Sequence, residues 1–239
     1  MAENEKEAGA GVGHVGSARA LVTLATLKED AEVAAYLAEA DRVLAVLGFT
    51  EHGERHAAMV AERARAIISA LGYKERRGEL AAVAGHLHDI GNVVNRQNHE
   101  ALSALLAHDI LGRLGMDVAE TLQVMTAIGN HDEGSGVPAS VISAALTIAD
   151  KSDVRRDRVR NPSMISFDIH DRVNYAAKRS ELEVDGEAKI ITLRLEIDTS
   201  ISQVMEYFET FLSRMIMCRR AARRLGCNFG LIINDVQML

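Results

Sequence analysis

The chain has few of the residues that are typical of extended β-structure. It contains no tryptophan, only 4% aromatic residues and two prolines, whereas 48% of its 239 residues are hydrophobic. Strands favour β-branched and aromatic side chains, and helices rarely accept proline in their interior. Alanine and leucine supply much of the hydrophobic content. This composition favours packed helices over a β-sandwich.

Other absences exclude whole classes of protein. No apolar run reaches the length of about 18 residues that a membrane-spanning helix needs. The net charge of −7 is opposite in sign to the basic surface of a protein that binds nucleic-acid polymers. Cys218 and Cys227 lack the paired spacing of a zinc site and are predicted to be reduced thiols of a cytoplasmic protein. Residues 1–20 lack the apolar stretch of a secretory signal and are predicted to be a disordered leader.

Apolar residues at helical spacing predict a succession of helices from about residue 29 to 160. The predicted helices cover residues 29–47, 52–71, 79–90, 100–114, 117–131 and 137–156. Breaks that contain glycine separate most of them. Pro138 is predicted to lie in the first turn of the last helix, where its missing N–H costs least.

The periodicity changes after about residue 165. Alternation over 191–197 predicts a strand, and residues 182–184 are predicted to pair with it across a turn at 185–186. A helix over 201–225 and a strand over 229–233 are predicted to follow. The predicted fold class is mainly α, with a helical core over 21–164 and a small C-terminal β-β-α-β appendage over 165–239 packed on it. The appendage is expected to shape one wall of the functional site or to pair across a homodimer.

Four His-Asp dipeptides occur in the sequence, and helical phase distinguishes them. Five predicted helices direct an imidazole or a carboxylate toward the core, on the same stripe as nearby apolar residues. The side chains concerned are His56, His88, His99, His131 and Asp150. Because buried charge is costly unless it is paired or bound to metal, this convergence predicts a centre for a divalent ion.

Other histidines are predicted to have no part in the centre. His108, with Asp109, faces away from His99, because nine residues are about 2.5 turns of helix. His170, with Asp171, lies outside the helical core. Both pairs are therefore predicted to be surface or structural features.

The order of the inward residues resembles the HD superfamily of metal-dependent phosphohydrolases. The matching segments are the seven residues that end at His56, the segment Leu87-His88-Asp89-Ile90-Gly91, and Ile148-Ala149-Asp150. The resemblance covers roughly residues 30–160. It implies a helical HD domain in which His56, His88, Asp89 and Asp150 are metal ligands.

Two further segments resemble those that hold a second metal in binuclear relatives. Residues 98–104 are similar to the HxxxGA segment, with Ser103 in place of glycine. Residues 130–133 are similar to the HHE segment of HD-GYP phosphodiesterases, with Asp132 in place of the second histidine. The resemblance implies that His99, His131 and Asp132 bind the second ion and that Asp89 bridges the two. One or two divalent metals are expected, namely Fe, Mn, Ni, Co or Zn, with Mg also compatible.

Several side chains near these ligands are candidates for catalysis. The metal ligand Asp89 is one of them. His52 lies one turn before His56, and Asp153 follows Asp150 as in the ADxxExxR segment of HD-type diadenosine tetraphosphate hydrolases, which the sequence resembles here. His52 and Asp153 are expected to act as general acid or base, or to orient the ligands.

A basic run begins immediately after Asp150. Residues 151–160 contain five cations. Guanidinium groups suit bidentate contact with phosphate, so Lys151, Arg155 and Arg156 are the predicted phosphate contacts.

The leading hypothesis is a hydrolase of a small phosphorylated compound, which the resemblance suggests is a nucleotide. No nucleic-acid polymer and no membrane is expected as a partner. A diiron oxygenase on the same fold and a catalytically silent, metal-stabilised regulatory module stay open as alternatives. The regulatory alternative rests on Asp132 and on Asn92, which stands where HD-GYP proteins have lysine.

Overall fold

The computed structural model describes residues 21–164 and 168–239 of the chain. The predicted leader, 1–20, lies outside the described residues. The first described segment is helical, as the sequence predicts. Its α-helices are α1 (Leu24–Lys28), α2 (Ala31–Val46), α3 (Glu54–Ala70), α4 (Glu75–Leu87), α5 (His99–Arg113), α6 (Val118–Ile128) and α7 (Val141–Lys151).

Helices α3, α4 and α7 pack against one another and form the centre of this core. The backbones of α3 and α4 approach each other closely. A Cβ atom on Gly85 would lie 2.8 Å from the nitrogen and Cα of Ala61. Such close packing requires small side chains at the contact. The three helices therefore hold their side chains in fixed relative positions.

Some predicted helix limits are wrong. Helix α4 ends at Leu87, because the chain enters a 3-10 turn at Ile90–Val93. Helix α7 begins at Val141, where the Ser140 hydroxyl accepts the N–H of Ser143 and caps the helix. Pro138 consequently precedes the helix and is not in its first turn. Arg156 is not in α7 either, but in a separate 3-10 turn.

The C-terminal segment is a mixed α and β unit. Helix α8 (Ile169–Ala176) leads into β1 (Ala177–Asp185), which pairs antiparallel with β2 (Ile190–Ile197). Helix α9 (Val204–Arg224) then returns the chain, so that β3 (Asn228–Ile233) lies parallel to β2. A short β4 (Val236–Gln237) completes the sheet order β1-β2-β3-β4. The predicted β-β-α-β order is confirmed, whereas α8 and β4 were not predicted.

One cluster of buried apolar side chains extends through both segments. Helix α9 packs on α7, and its Tyr207, Phe211 and Met215 belong to the same cluster as the residues of α3 and α4. The division at residue 164 remains a prediction. Among the described residues, no helix has the length and hydrophobicity to span a membrane.

Candidate metal centre

The four principal residues lie on the three elements at the middle of the core. His56 is on the first turn of α3, and Asp150 is on the last turn of α7. His88 and Asp89 follow the end of α4, where the chain turns into the 3-10 segment. The turn carries these two side chains across the end of α4 toward α3 and α7. All but Asp150 are buried.

A first cluster is formed by His56, His88, Asp150 and one carboxylate oxygen of Asp89. The Nε2 atoms of His56 and His88 are 3.2 Å apart. Asp150 Oδ1 lies 3.5 Å from the first of these nitrogens and 3.7 Å from the second. Asp89 Oδ2 lies 3.8 Å and 3.4 Å from the same two nitrogens. Ligands about 2.1 Å from one metal ion are about 3.0–3.6 Å from each other. The distances between the imidazole nitrogens and the carboxylate oxygens are therefore close to those between ligands of one ion.

A second cluster is formed by His99, His131 and the other oxygen of Asp89. The Nε2 atoms of His99 and His131 are 3.2 Å apart. Asp89 Oδ1 lies 3.3 Å from the first nitrogen and 3.8 Å from the second. The Asp89 carboxylate thus has one oxygen in each cluster, as a carboxylate that bridges two ions does.

The four histidines in these clusters share one orientation. Nδ1 of His88 faces the Gly85 carbonyl at 2.8 Å, and Nδ1 of His131 faces the Ile128 carbonyl at 2.7 Å. Nδ1 of His99 likewise lies 3.1 Å from a carbonyl, that of Arg96. A carbonyl can only accept, so Nδ1 carries the proton and Nε2 presents its lone pair to the cluster. This is the tautomer that a metal ligand requires.

His56 is oriented by a carboxylate instead. Its Nδ1 donates to Asp153 Oδ2 at 2.7 Å. Asp153 is itself held by the Arg155 guanidinium at 2.6 Å and by Arg158 at 3.4 Å. Burial raises the pKa of Asp153, but Arg158 and His56 outweigh this effect and lower it, so the group is a carboxylate. Asp153 thus contacts Nδ1 of His56, whereas the cluster is on the side of Nε2.

The electrostatics of the clusters favour a bound cation. Burial raises the pKa of Asp89, but the neighbouring His88 and His99 hold it well below its usual value. Burial also raises the pKa of Asp150, and the Lys151 cation and facing imidazoles reverse that effect. Burial and then His88 lower the pKa of His131 to about 3, which leaves its imidazole neutral. The clusters combine ionised carboxylates with imidazole lone pairs, so they could hold a divalent metal.

Lys151 lies beside the first cluster but is already paired. Its Nζ is 2.8 Å from Asp150 Oδ2 and 2.5 Å from Glu133 Oε2. Glu133 in turn accepts from Nε of Arg214, a residue of α9, at 3.0 Å. A chain of ion pairs therefore connects the outer oxygen of Asp150 to the C-terminal unit.

The other two predicted phosphate contacts have partners elsewhere. Arg155 pairs with Asp153 and with Asp157. Arg156 donates from Nε to the Tyr175 carbonyl at 2.6 Å, and its guanidinium lies 4.6 Å from the centre of the Tyr175 ring. Their role toward phosphate remains a prediction.

Asp132 is separate from both clusters. Its Oδ1 accepts the N–H of Gly134 at 2.8 Å and so stabilises the turn after α6. Neither group of metal-compatible side chains within the described segments includes it. The expected contribution of Asp132 to a second ion thus has no geometric support.

His52 and His170 both line a cavity of about 350 Å³ beside the clusters. The His52 ring centre is 5.3 Å from that of His56, and its Nδ1 faces the Thr50 carbonyl at 2.7 Å. Burial and the Arg158 cation lower the pKa of His52 well below its usual value, which leaves Nε2 unprotonated. His170, predicted to be a surface or structural residue, is exposed and lies on the wall of this cavity.

Sequence reasoning missed charged residues of the same cavity, among them Arg96, Glu133 and Arg214. Nη1 of Arg96 lies 4.0 Å from Asp89 Oδ1. Their signal in the sequence is weak, because a charged residue on a loop or on a helix face is usually exposed to solvent and has no functional role. Their position depends on contacts between distant segments.

Comparison with known proteins supports the resemblance found in the sequence. Residues 53–155 match the model of the HD domain family. An uncharacterised protein of Methanocaldococcus jannaschii is 28% identical over 183 residues, which are 67% of this chain and 70% of the relative. A crystal structure of a predicted HD superfamily hydrolase from an uncultured Thermotogales bacterium shares 25% identity over 52% of this chain and 67% of that chain, with a TM-score of 0.42. The segment that matches the HD domain family, residues 53–155, includes all the residues of the two clusters.

Proposed function

We propose that this protein is a metal-dependent phosphohydrolase that acts on a small phosphorylated compound, specifically a nucleotide. The observation that carries the proposal is the Asp89 carboxylate, which presents one oxygen to each of two clusters of imidazole and carboxylate ligands. The resemblance to HD phosphohydrolases supports the reaction type. The cavity beside the clusters is within the size range of small-molecule sites, which is about 300–1,000 Å³.

The ligands suit transition metals. His56, His88, Asp150 and Asp89 would hold a first ion, while His99, His131 and Asp89 would hold a second. Mixed imidazole and carboxylate ligands favour Fe, Mn, Co, Ni or Zn over ions that prefer oxygen alone. When bound, such a metal lowers the pKa of a coordinated water and neutralises charge on phosphoryl oxygens.

The protein groups around the clusters have separate roles in this reaction. Water oxygen forms a bond to phosphorus, the P–O ester bond breaks, and the leaving oxygen takes up a proton. His52 Nε2 is free to accept the proton that the attacking water loses, because Nδ1 donates to Thr50. Asp153 orients His56 from behind, and the Lys151 ammonium fixes the outer oxygen of Asp150.

A substrate panel tests the proposal. Purified protein is assayed for phosphate release from nucleotides and phosphomonoesters with Mn, Co, Ni, Fe and Mg in turn. Wild-type protein is expected to release phosphate. The His88→Ala substitution is expected to lower kcat/KM by about 100-fold or more, because a ligand of the first ion is lost. His108→Ala is the matched control, since this exposed histidine has an Asp neighbour but lies away from the clusters.

Two results would contradict the proposal. The first is that wild-type protein releases no phosphate with any metal. The second is equal release by wild-type protein and His88→Ala. Oxidation of an added substrate by iron-loaded protein, without phosphate release, would support the diiron oxygenase instead.

A further inference from the structure

The cavity beside the metal clusters is one part of a longer cleft. A second cavity of about 440 Å³ adjoins it, and the two share Gly48, Phe49, Asp168 and Asp171 as lining residues. The first cavity is the inner part of this cleft, because two of its lining residues, His52 and Arg96, lie beside residues of the clusters. The cleft thus has room for a substrate that extends well beyond its phosphoryl group.

Phe49 lies where the two cavities join. Its side chain is 40% exposed, although aromatic side chains are few in this chain. The guanidinium of Arg96 lies 5.4 Å from the centre of the Phe49 ring, and the same guanidinium is 4.0 Å from Asp89. A line of contacts therefore runs from the shared carboxylate through a cation to an aromatic face in the cleft.

The loop that carries Phe49 is fixed on both sides. Phe49 N–H donates to the Leu44 carbonyl at 2.9 Å, and the Phe49 carbonyl accepts from Arg160 at 3.0 Å. The Glu51 N–H donates to the Arg158 carbonyl at 2.8 Å, and the Glu51 carbonyl accepts from the Arg158 side-chain Nε at 2.9 Å. An exposed aromatic ring on a rigid loop binds a planar group at a low entropic cost.

The wall of the inner part also contains a buried guanidinium with one unpaired nitrogen. Arg158 lines this cavity and its side chain is 4% exposed. Its Nε and Nη1 donate to protein carbonyls, whereas Nη2 has no hydrogen-bond partner among the described residues. Unpaired buried donors are uncommon, and the Arg158 guanidinium adds positive charge to the wall of the inner part.

We infer that Phe49 and Arg96 bind the two parts of the substrate: Arg96 contacts the phosphoryl group at the metal clusters, and Phe49 stacks on a planar ring of the organic part and so determines specificity. This inference rests on the proposed function and assigns substrate binding to residues outside the basic run 151–160. It makes the substrate a phosphate ester with an aromatic ring, such as a nucleobase, and disfavours a plain sugar phosphate.

The test compares compounds with the same phosphoryl group. The four common ribonucleoside 5′-monophosphates and ribose 5-phosphate are assayed for kcat/KM with metal-loaded protein. Binding is measured by calorimetry with their phosphonate analogues, in which a methylene group replaces the bridging oxygen and prevents hydrolysis. The wild-type protein is expected to prefer at least one nucleotide over ribose 5-phosphate by about tenfold or more in both measurements.

Substitution separates the two roles. Phe49→Ala is expected to reduce the preference for the nucleotide by about tenfold and to leave ribose 5-phosphate nearly unchanged, whereas Phe49→Tyr retains the preference. Arg96→Gln is expected to weaken all five compounds alike. Arg77→Gln is the matched control, because Arg77 also lies over an aromatic ring, that of Tyr73, but outside the cleft.

The outcomes distinguish this inference from the proposed function. Phosphate release without preference for any nucleotide, or an equal effect of Phe49→Ala on all five compounds, overturns the inference and leaves the hydrolase standing. A binding preference that depends on Phe49, without hydrolysis of any compound, supports the inference and overturns the hydrolase. Absence of both binding preference and hydrolysis overturns both.

Discussion

The histidines of the two clusters differ in what fixes their rings. His88, His99 and His131 donate to backbone carbonyls, which no side-chain substitution removes. His56 donates to a side chain, the Asp153 carboxylate, at 2.7 Å, whereas the nearest carboxylate to Nδ1 of His99 is that of Glu100 at 3.4 Å. The effect of ring orientation on metal binding is therefore measurable at His56.

Asp153→Ala is expected to weaken metal binding by about 100-fold, and Asp153→Asn by about tenfold, because the amide oxygen still accepts the Nδ1 proton. Affinity is measured by competition with a chromophoric chelator for Zn and Mn. Asp109→Ala is the control, since Asp109 contacts His108 at 3.1 Å on the exposed surface. Equal affinities for wild-type protein and Asp153→Ala would show that Asp153 does not orient a ligand.

Helical phase in the sequence identified residues that the structure brings together. The prediction that all of them lie on helices was only partly right. Of the six clustered residues, His88 and Asp89 follow the end of α4, and His131 follows the end of α6, so three are on turns rather than on helix faces. Helical phase still selected these residues, because each of them follows directly after the last turn of a helix. Arg96 and Glu133 were not predicted as site residues, since only the folded chain shows their contacts with Asp89 and Lys151.

The turn after Asp89 is packed tightly on α5. A Cβ atom on Gly91 would lie 2.4 Å from the His99 carbonyl oxygen and from the Ser103 nitrogen. The Ser103 hydroxyl, which replaces glycine in the HxxxGA segment, accepts the Gly91 N–H at 2.8 Å. This contact joins the turn that carries Asp89 to the helix that carries His99.

Gly91→Ala is expected to lower the free energy of unfolding by about 3 kcal/mol, because two backbone segments must separate to accept the methyl group. Gly112→Ala on α5 is the matched control, since a Cβ atom there meets nothing within 4 Å. That substitution is expected to raise stability by about 0.5–1 kcal/mol, because alanine favours the helix. Urea unfolding of both variants measures the difference, and equal stabilities would contradict the close packing.

The elements that the sequence did not predict are short. Helix α8 has eight residues and lies after a region of 3-10 turns, so its apolar spacing covers little more than two turns. Helix α9 and strand β2 were predicted because 21 and eight residues respectively give a clear periodicity. Short elements depend on tertiary contacts, which for α8 are made with α9.

The C-terminal unit is connected to the metal clusters by charge as well as by packing. The ion pairs run from Arg214 on α9 through Glu133 and Lys151 to Asp150. The unit also supplies Phe211 and Arg214 to the cavity wall. Of the two roles expected for the appendage, these contacts support the one in which it shapes the site, while the homodimer remains a prediction.

Glu133 is the middle of this chain of ion pairs, and its protonation should uncouple the two parts. Burial raises its pKa, but Lys151 and Arg214 outweigh this and lower the pKa to about 2. A carboxyl group with a lowered pKa in the folded state contributes stability above its unfolded pKa, and this contribution is lost as the pH falls toward the folded value. We therefore expect Glu133→Gln to cost about 2–3 kcal/mol near neutral pH and less than about 1 kcal/mol near pH 2.

Urea unfolding of metal-free wild-type protein and Glu133→Gln at several pH values measures this difference. Glu183→Gln is the control, because Glu183 pairs with Arg194 on the exposed side of the sheet and such pairs contribute about 0–1 kcal/mol. A difference between wild-type protein and Glu133→Gln that stays constant from neutral to acid pH would mean that Glu133 acts through packing. A difference that shrinks as the solution is acidified would show that ion pairing stabilises the contact between the helical core and α9, and with it the wall of the cleft.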